Sequence, residues 1–218
     1  MTTHILRVFT DTLDAGAAVA PLPALNRVLY VVSGSAMVRA GGHAASLDPN
    51  STWCGADAPA ITAGKSGARL LRWELVRKDA PPAAGVAPAS SPTLQHHITL
   101  DPAVAYLMRC DRVDFPPGGE ALTHVHQGPG IRCLLTGTIR IDSEGASHSY
   151  GPSEAWFEAG PDPVYAAASR ETPTGFARVM ILPRTCHGKS SIRYVRPEDA
   201  DKPKSQKYQI FADEFIDA

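Results

Sequence analysis

Residues 118–141 read GGEALTHVHQGPGIRCLLTGTIRI. His124 and His126 stand two apart, just before an apolar run. A strand turns alternate side chains to one face, so both imidazoles can look the same way and chelate one ion. The run that follows is rich in Ile and Leu and is broken at Gly137, the pattern of short strands punctuated by turns. The same texture extends outward in RVLYVVSGSAMVRAGG (27–42) and ARVMILP (177–183). With 18 Gly, 19 Pro and no long stretch of 3.6-residue apolar period, the chain reads as all-β, a barrel or sandwich with few helices.

The stretch also has a counterpart upstream. LYVVSGSAMVR lies over RCLLTGTIRID with Gly34 on Gly137, an offset of 137 − 34 = 103. The same offset sets Trp53 of DPNSTW on Trp156 of GPSEAW and Gly16 on Gly119. A three-residue gap then sets Arg72 of ARLLRWEL over Arg178 of GFARVMIL. A repeat of this kind decides the architecture before any local reading does, and the chain divides into two copies of one β-domain. Between them, DAPPAAGVAPASSP (79–92) has almost nothing to bury and reads as a semi-extended linker. The expected organisation is a first barrel over 1–78, a linker over 79–93 and a second barrel over 94–182. Residues 183–218 form a tail that packs on a barrel or on a neighbouring subunit.

In the second half, GGEALTHVHQGPGIRCLLTGTIRI and the later YGPSEAWFEAGPDPVYAAA (150–168) resemble the two motifs of the cupin superfamily. Gly118, His124, His126 and Gly137 match the first motif in place. The resemblance covers roughly residues 5–78 and 104–182 and implies two tandem jelly-roll barrels, the first of them degenerate. It also implies a divalent transition metal, Fe, Mn, Ni or Zn, on His124 and His126. The pattern departs from the family's at two of four usual ligands. The Glu position falls on Gly130, and the second-motif His position on Pro163 or Val164. Glu158, in WFEAG, is the candidate to supply the missing carboxylate, since two imidazoles and one carboxylate suit Fe(II) and Zn accepts similar donors; an ordinary strand-end carboxylate is the alternative. In the first half the 103 offset maps the histidines onto Pro21 and Pro23 and Gly130 onto Arg27, so no ligand set survives there.

Arg132 stands two residues after Gly130 and by strand alternation shares its face. An inward guanidinium beside a metal suits a carboxylate ligand; the alternative is an internal acidic partner or solvent. Gly130 is read as leaving the site short of negative charge. Tyr165 is placed at the barrel mouth as a second substrate-binding residue, and Trp53 and Trp156 are read as equivalent core residues. No residue is singled out as catalytic. A place at the site is left open for His96 and His97, while His43, His148 and His187 sit in Gly/Ser-rich turns as surface residues.

Together these features point to a metalloenzyme of oxygenase, isomerase or decarboxylase type acting on a small anionic organic molecule. The alternative is a non-catalytic binding or sensing module without tight metal. A net charge of −1 gives no electrostatic case for nucleic acid or an anionic membrane. No run approaches the ~18 apolar residues a span needs, no basic-then-apolar leader opens the chain, and a cytoplasmic location is the expectation. Four scattered cysteines without a C-x-x-C pair are read as reduced. Exposed sheet edges and the tail predict a homodimer formed by strand or tail exchange.

Overall fold

Every apolar run identified above becomes a strand, and the strands with a defined register pair antiparallel. The computed structural model describes residues 1–79 and 91–218, so most of the expected linker lies outside the described residues. The chain divides into two units, Met1–Val104 with Ile216–Ala218, and Ala105–Phe215.

The first unit holds β1 (Thr2–Leu13), β2 (Ala18–Val19), β3 (Arg27–Ala40), β4 (His43–Leu47), β5 (Thr52–Gly55), β6 (Ala60–Arg77) and β7 (Ser91–Leu100). They form one seven-stranded sheet in the order β4-β3-β6-β1-β7, with β2 on β6 and β5 on β3. β3 and β6 are too long for one flat layer. Their ladder is interrupted after Val31 and again after Gly34, where Gly34 has φ +73° and a Cβ would lie 2.0 Å from the Gly67 carbonyl oxygen. That approach requires glycine. Leu29, Val31, Val38, Ile61 and Leu70, from both ends of these two strands, then meet in one core.

The second unit holds β8 (Tyr106–Phe115), β9 (Glu120–His126), β10 (Gly130–Thr136), β11 (Ile139–Ser143), β12 (Ala146–Tyr150), β13 (Ala155–Glu158), β14 (Val164–Ala168), β15 (Thr174–Pro183), β16 (Ile192–Tyr194) and β17 (Lys207–Ile216). Two five-stranded sheets result, β13-β10-β15-β8-β17 and β12-β11-β14-β9-β16. Phe115, Leu134, Trp156 and Phe176 of the first pack against Ala121, Ile141, Val164 and Ala166 of the second. Burying one face of each sheet against the other is what closes such a unit.

The internal register of the two units agrees. Leu29 pairs with both Trp53 and Arg72, and Arg132, 103 residues later, pairs with both Trp156 and Arg178. Gly34 and Gly137 both have positive φ. One landmark moves by a residue. Gly16, with φ +70°, corresponds to Gly118, with φ +71°, since their N–H groups bond the equivalent carbonyls of Gly64 and Ser169. Gly119 instead occupies the position of Ala17, each carbonyl accepting from the returning strand, at Ala168 and Ala63.

The domain boundary also differs from the expected one. Ser91–Leu100 does not open the second unit but adds to the free edge of β1, with Leu6 opposite His96 and His4 opposite Ile98. The first unit therefore continues to Val104. The tail joins the second unit, β16 pairing with β9 and β17 with β8. No disulfide joins Cys54, Cys110, Cys133 or Cys186. Among the described residues no helix is long and apolar enough to cross a membrane.

Candidate functional site

β9 runs Glu120–His126, and its alternation sends His124 and His126 inward to 5% and 4% exposure. They lie at the polar end of a cavity of about 260 Å³ whose walls include Val113, Phe115, Ile141, Val164 and Phe176. His124 Nδ1 lies 2.8 Å from the Leu122 carbonyl. That oxygen can only accept, so Nδ1 carries the proton and Nε2 is left as a lone-pair donor. The two Nε2 atoms are 3.2 Å apart. Ser191 Oγ lies 3.5 Å from His126 Nδ1. Burial is the largest influence on both imidazoles and lowers their pKa values, to about 3 for His126; both are neutral, as ligation demands.

Glu158 ends β13 opposite Gly130 of β10. Facing residues of an antiparallel pair project to the same side, so the carboxylate enters the cavity from the strand next to the one the family pattern uses. Position 130 itself has no room for it, because a Cβ there would lie 2.6 Å from the Val179 carbonyl oxygen and 2.7 Å from Met180 Cγ. Glu158 Oε2 stands 3.3 Å from His126 Nε2, and Oε1 accepts from the Trp156 indole at 2.8 Å. Burial alone would raise its pKa, but Arg132 and the His126 contact hold it well below the usual carboxylate range.

Arg132 does line the cavity, as alternation on β10 requires, and it is fully buried. It is not, however, an uncompensated cation. Its Nη2 lies 2.6 Å from Glu158 Oε2, and Nη1 donates to the Gly130 carbonyl. The 2.6 Å contact pairs Nη2 with Glu158 Oε2, and among the described residues Arg132 Nε is left buried without a hydrogen-bonding partner. Burial lowers the guanidinium to about 10, still charged at neutral pH. The expectation that the site lacks negative charge is therefore corrected: Glu158 supplies it beside Arg132, and Asp111 supplies it beside Arg178, at 2.6 and 3.1 Å.

Tyr165 is corrected as well. Val164 and Ala166 on either side of it line the cavity, which turns Tyr165 to the outer face, where its hydroxyl donates to Glu120 and Arg140 lies over its ring. His96 and His97 are exposed on β7 in the first unit. His43, His148 and His187 are exposed too.

Sequence reasoning missed Arg178, whose Nη1 comes within 3.5 Å of His126 Nε2, and its partner Asp111. A signal existed for Arg178, a charge inside the apolar run GFARVMIL, since such charges are almost never buried unless paired. It also missed the tail's share. Ser190, Ile192, Tyr194, Lys204, Gln206 and Tyr208 all line the cavity, because β16 sets Ile192 beside His126 and Tyr194 beside His124. Nothing in their local sequence marks them.

Two imidazole nitrogens and one carboxylate oxygen thus lie along edges of 3.2 and 3.3 Å. Donors about 2.1 Å from a shared ion would show similar edges. The donors fit a divalent ion in kind. Yet among the described residues no group of three or more His, Cys, Asp or Glu is arranged to hold one, and Glu158 Oε2 is turned to Arg132. Ligation by all three requires that oxygen to be shared or released.

The first unit fills the corresponding strands differently. Arg72 pairs with Asp11 at 2.7 Å and with Glu74 at 2.5 Å, and Glu74 also takes Arg7 and Arg27. Buried charges there satisfy one another, and Arg27 stands at the position equivalent to Gly130.

No family model matches the chain, and no curated protein does. Solved structures do. AerE from Microcystis aeruginosa is similar over 82% of this chain and 93% of its own, at 12% identity and a TM-score of 0.59. A deletion mutant of Bacillus subtilis oxalate decarboxylase OxdC is similar over 92% of this chain and 73% of its own, at 13% identity and a TM-score of 0.65. A structure of the same decarboxylase concerned with its Mn(II) centres is similar over 92% and 74%, at 12% identity and 0.65. The fold is cupin-like. At these identities the likeness extends to the fold and no further.

Proposed function

We propose that the second unit is a metal-binding cupin acting on a small anionic organic molecule, and that the chain is a bicupin of two tandem barrels whose first copy has lost its site. The reading rests on one observation above all: two neutral imidazoles present Nε2 atoms 3.2 Å apart at the buried end of a cavity. His124 and His126 would hold the ion, with Glu158 as third ligand once its Oε2 is released. Bound there, a divalent transition metal supplies a Lewis acid that polarises an oxygen of the ligand.

The chain's own residues do the rest. The Leu122 carbonyl fixes the tautomer of His124, and Ser191 stands at the far nitrogen of His126. Arg132 and Arg178 give the buried end two guanidinium groups against two carboxylates, so an arriving carboxylate finds donors already oriented. Phe115, Ile141, Val164 and Phe176 keep water away from that end. Oxygenase, isomerase and decarboxylase chemistries occur on this fold, which does not choose among them.

The test is elemental analysis of untagged protein purified without chelator from metal-supplemented medium. A stoichiometric divalent metal that His124→Ala with His126→Ala reduces to background supports the reading. Wild-type protein with no metal above background overturns it in favour of a second one, a binding module without tight metal. That alternative draws on the 2.6 Å contact that commits Glu158 to Arg132 and on the two guanidinium charges beside the imidazoles.

A further inference from the structure

The two ends of the cavity are both polar and both unsatisfied, with an apolar stretch between them. At the inner end, Arg132 Nε is buried with no hydrogen-bonding partner among the described residues, while Nη2 is engaged with Glu158 Oε2 at 2.6 Å. At the outer end Gln206 Oε1, from the tail, is likewise buried with no partner among the described residues. A buried amide oxygen left unpaired is costly, so its retention inside a cavity points to a guest that meets it.

Gln206 is held there by fastenings on either side. Ser205 Oγ accepts from the Glu120 N–H and donates to the Glu120 carbonyl, both at 2.9 Å. Lys204 Nζ donates to the Asp199 carbonyl and sits 4.1 Å from the centre of the Tyr194 ring. Tyr194 in turn pairs with His124 across the β16–β9 ladder. Residues 204–206 are thus strapped along β9, with Ser205 at its Glu120 end. Four residue steps along the strand take Glu120 to His124, roughly 13 Å at the usual rise. Gln206 and the histidine–arginine end therefore face the cavity from opposite ends of one strand. Between them stand Phe115, Ala121, Ile141, Val164, Ala166 and Phe176.

From this we infer that Gln206 is a specificity-determining residue, and that the ligand is an elongated carboxylic acid with an apolar middle and a hydroxyl at its far end. The carboxylate belongs at the inner end, where Arg132 has donors to spare. The hydroxyl belongs at Gln206. An amide can present its oxygen or its NH₂ by a half turn, and a hydroxyl, which both donates and accepts, satisfies either face. The middle of the molecule gains from burial against the apolar walls. This inference rests on the reading of the cavity as a carboxylate-binding pocket.

The experiment compares two probes, octanoate and ω-hydroxyoctanoate, by isothermal titration calorimetry on the full chain. Wild-type protein is expected to bind the hydroxy acid roughly fivefold more tightly, the size of one added hydrogen bond at a buried partner. Gln206→Leu, similar in size but apolar, is expected to reverse that order. Gln206→Glu keeps an acceptor at the same reach and is expected to keep the preference even if both affinities fall, which separates recognition from general damage to the tail. Equal affinities in wild type, unchanged in Gln206→Leu, overturn the inference while leaving the pocket a carboxylate site. Absence of binding by either acid overturns the pocket reading and the inference with it.

Discussion

Glu158 faces Gly130 across the β10–β13 ladder, so the carboxylate of the site is carried by a different strand from the one that carries Arg132, and the two meet at 2.6 Å. That contact makes metal and arginine competitors for one oxygen. Arg132→Leu is expected to free Glu158 and tighten divalent-metal binding by about tenfold, the scale of changes around a metal ligand, while weakening carboxylate ligands. Glu158→Gln is expected to weaken metal by a similar factor. It also destabilises the protein by about 3–5 kcal/mol, because Arg132 then stays buried without its counter-charge. Metal titration measures the opposite signs of the two variants in affinity, and thermal unfolding measures the loss of the buried pair.

The first unit is expected to lose stability in acid. Burial would raise the Glu74 carboxyl, but Arg72, Arg27 and Arg7 hold it below its ordinary value. A depressed carboxyl contributes stability that is fully present above the unfolded pKa of about 4.3 and is lost as pH falls through the folded value. Thermal unfolding between pH 7 and pH 3 should show a decline beginning near pH 4. Glu74→Gln should be less stable at pH 7 and flatter in that window.

Two glycines with the same backbone should answer differently to alanine. Gly137 and Gly145 have φ +74° and +76°, each costing about 1 kcal/mol for a residue with a Cβ. At Gly145 nothing lies within 4 Å, whereas at Gly137 a Cβ would meet Thr174 Oγ1 at 2.4 Å and the Pro173 carbonyl oxygen at 2.6 Å. Gly145→Ala should therefore cost about 1 kcal/mol. Gly137→Ala should cost about 2 kcal/mol more through overpacking. Chemical denaturation of the two single variants separates them.

Tyr165→Phe should change neither metal content nor carboxylate affinity and should move stability by no more than about 0.5 kcal/mol. Its hydroxyl serves only the exposed Glu120 on the outer face. A clear loss of ligand affinity in that variant would return Tyr165 to the pocket.

β17 ends its sheet and exposes Tyr208 and Ile210 at 56% and 36%. An exposed apolar edge invites another strand, and light scattering at micromolar concentration is expected to give a dimer that Ile210→Lys weakens. A monomeric wild type would remove the case for this edge.

The residues that could be read in advance were those whose role is set by backbone geometry. Gly34 with Gly137 and Trp53 with Trp156 keep one register, and alternation alone turns His124, His126 and Arg132 inward. What escaped was set by partners far away in sequence. Ser91–Leu100 follows an Ala/Pro stretch and carries exposed His96 and His97, and only the free edge of β1 makes it part of the first unit. Glu158 could be named as the carboxylate that Gly130 lacks, but not its place across the ladder from Gly130 or its pairing with Arg132. Arg178 and Asp111 lie 67 residues apart, and nothing local joins Gln206 or Tyr194 to the cavity they line.

The cavity above His124 and His126 has a mechanical consequence. Hydrostatic pressure favours whichever state eliminates internal void, and the volume change of unfolding scales with that void. A hollow of about 260 Å³ gives pressure a point of entry into the second unit, first by forcing water onto its apolar walls and then by opening its two sheets. A guest molecule that fills the hollow would act as a prop, raising the pressure the unit withstands in proportion to the volume it occupies.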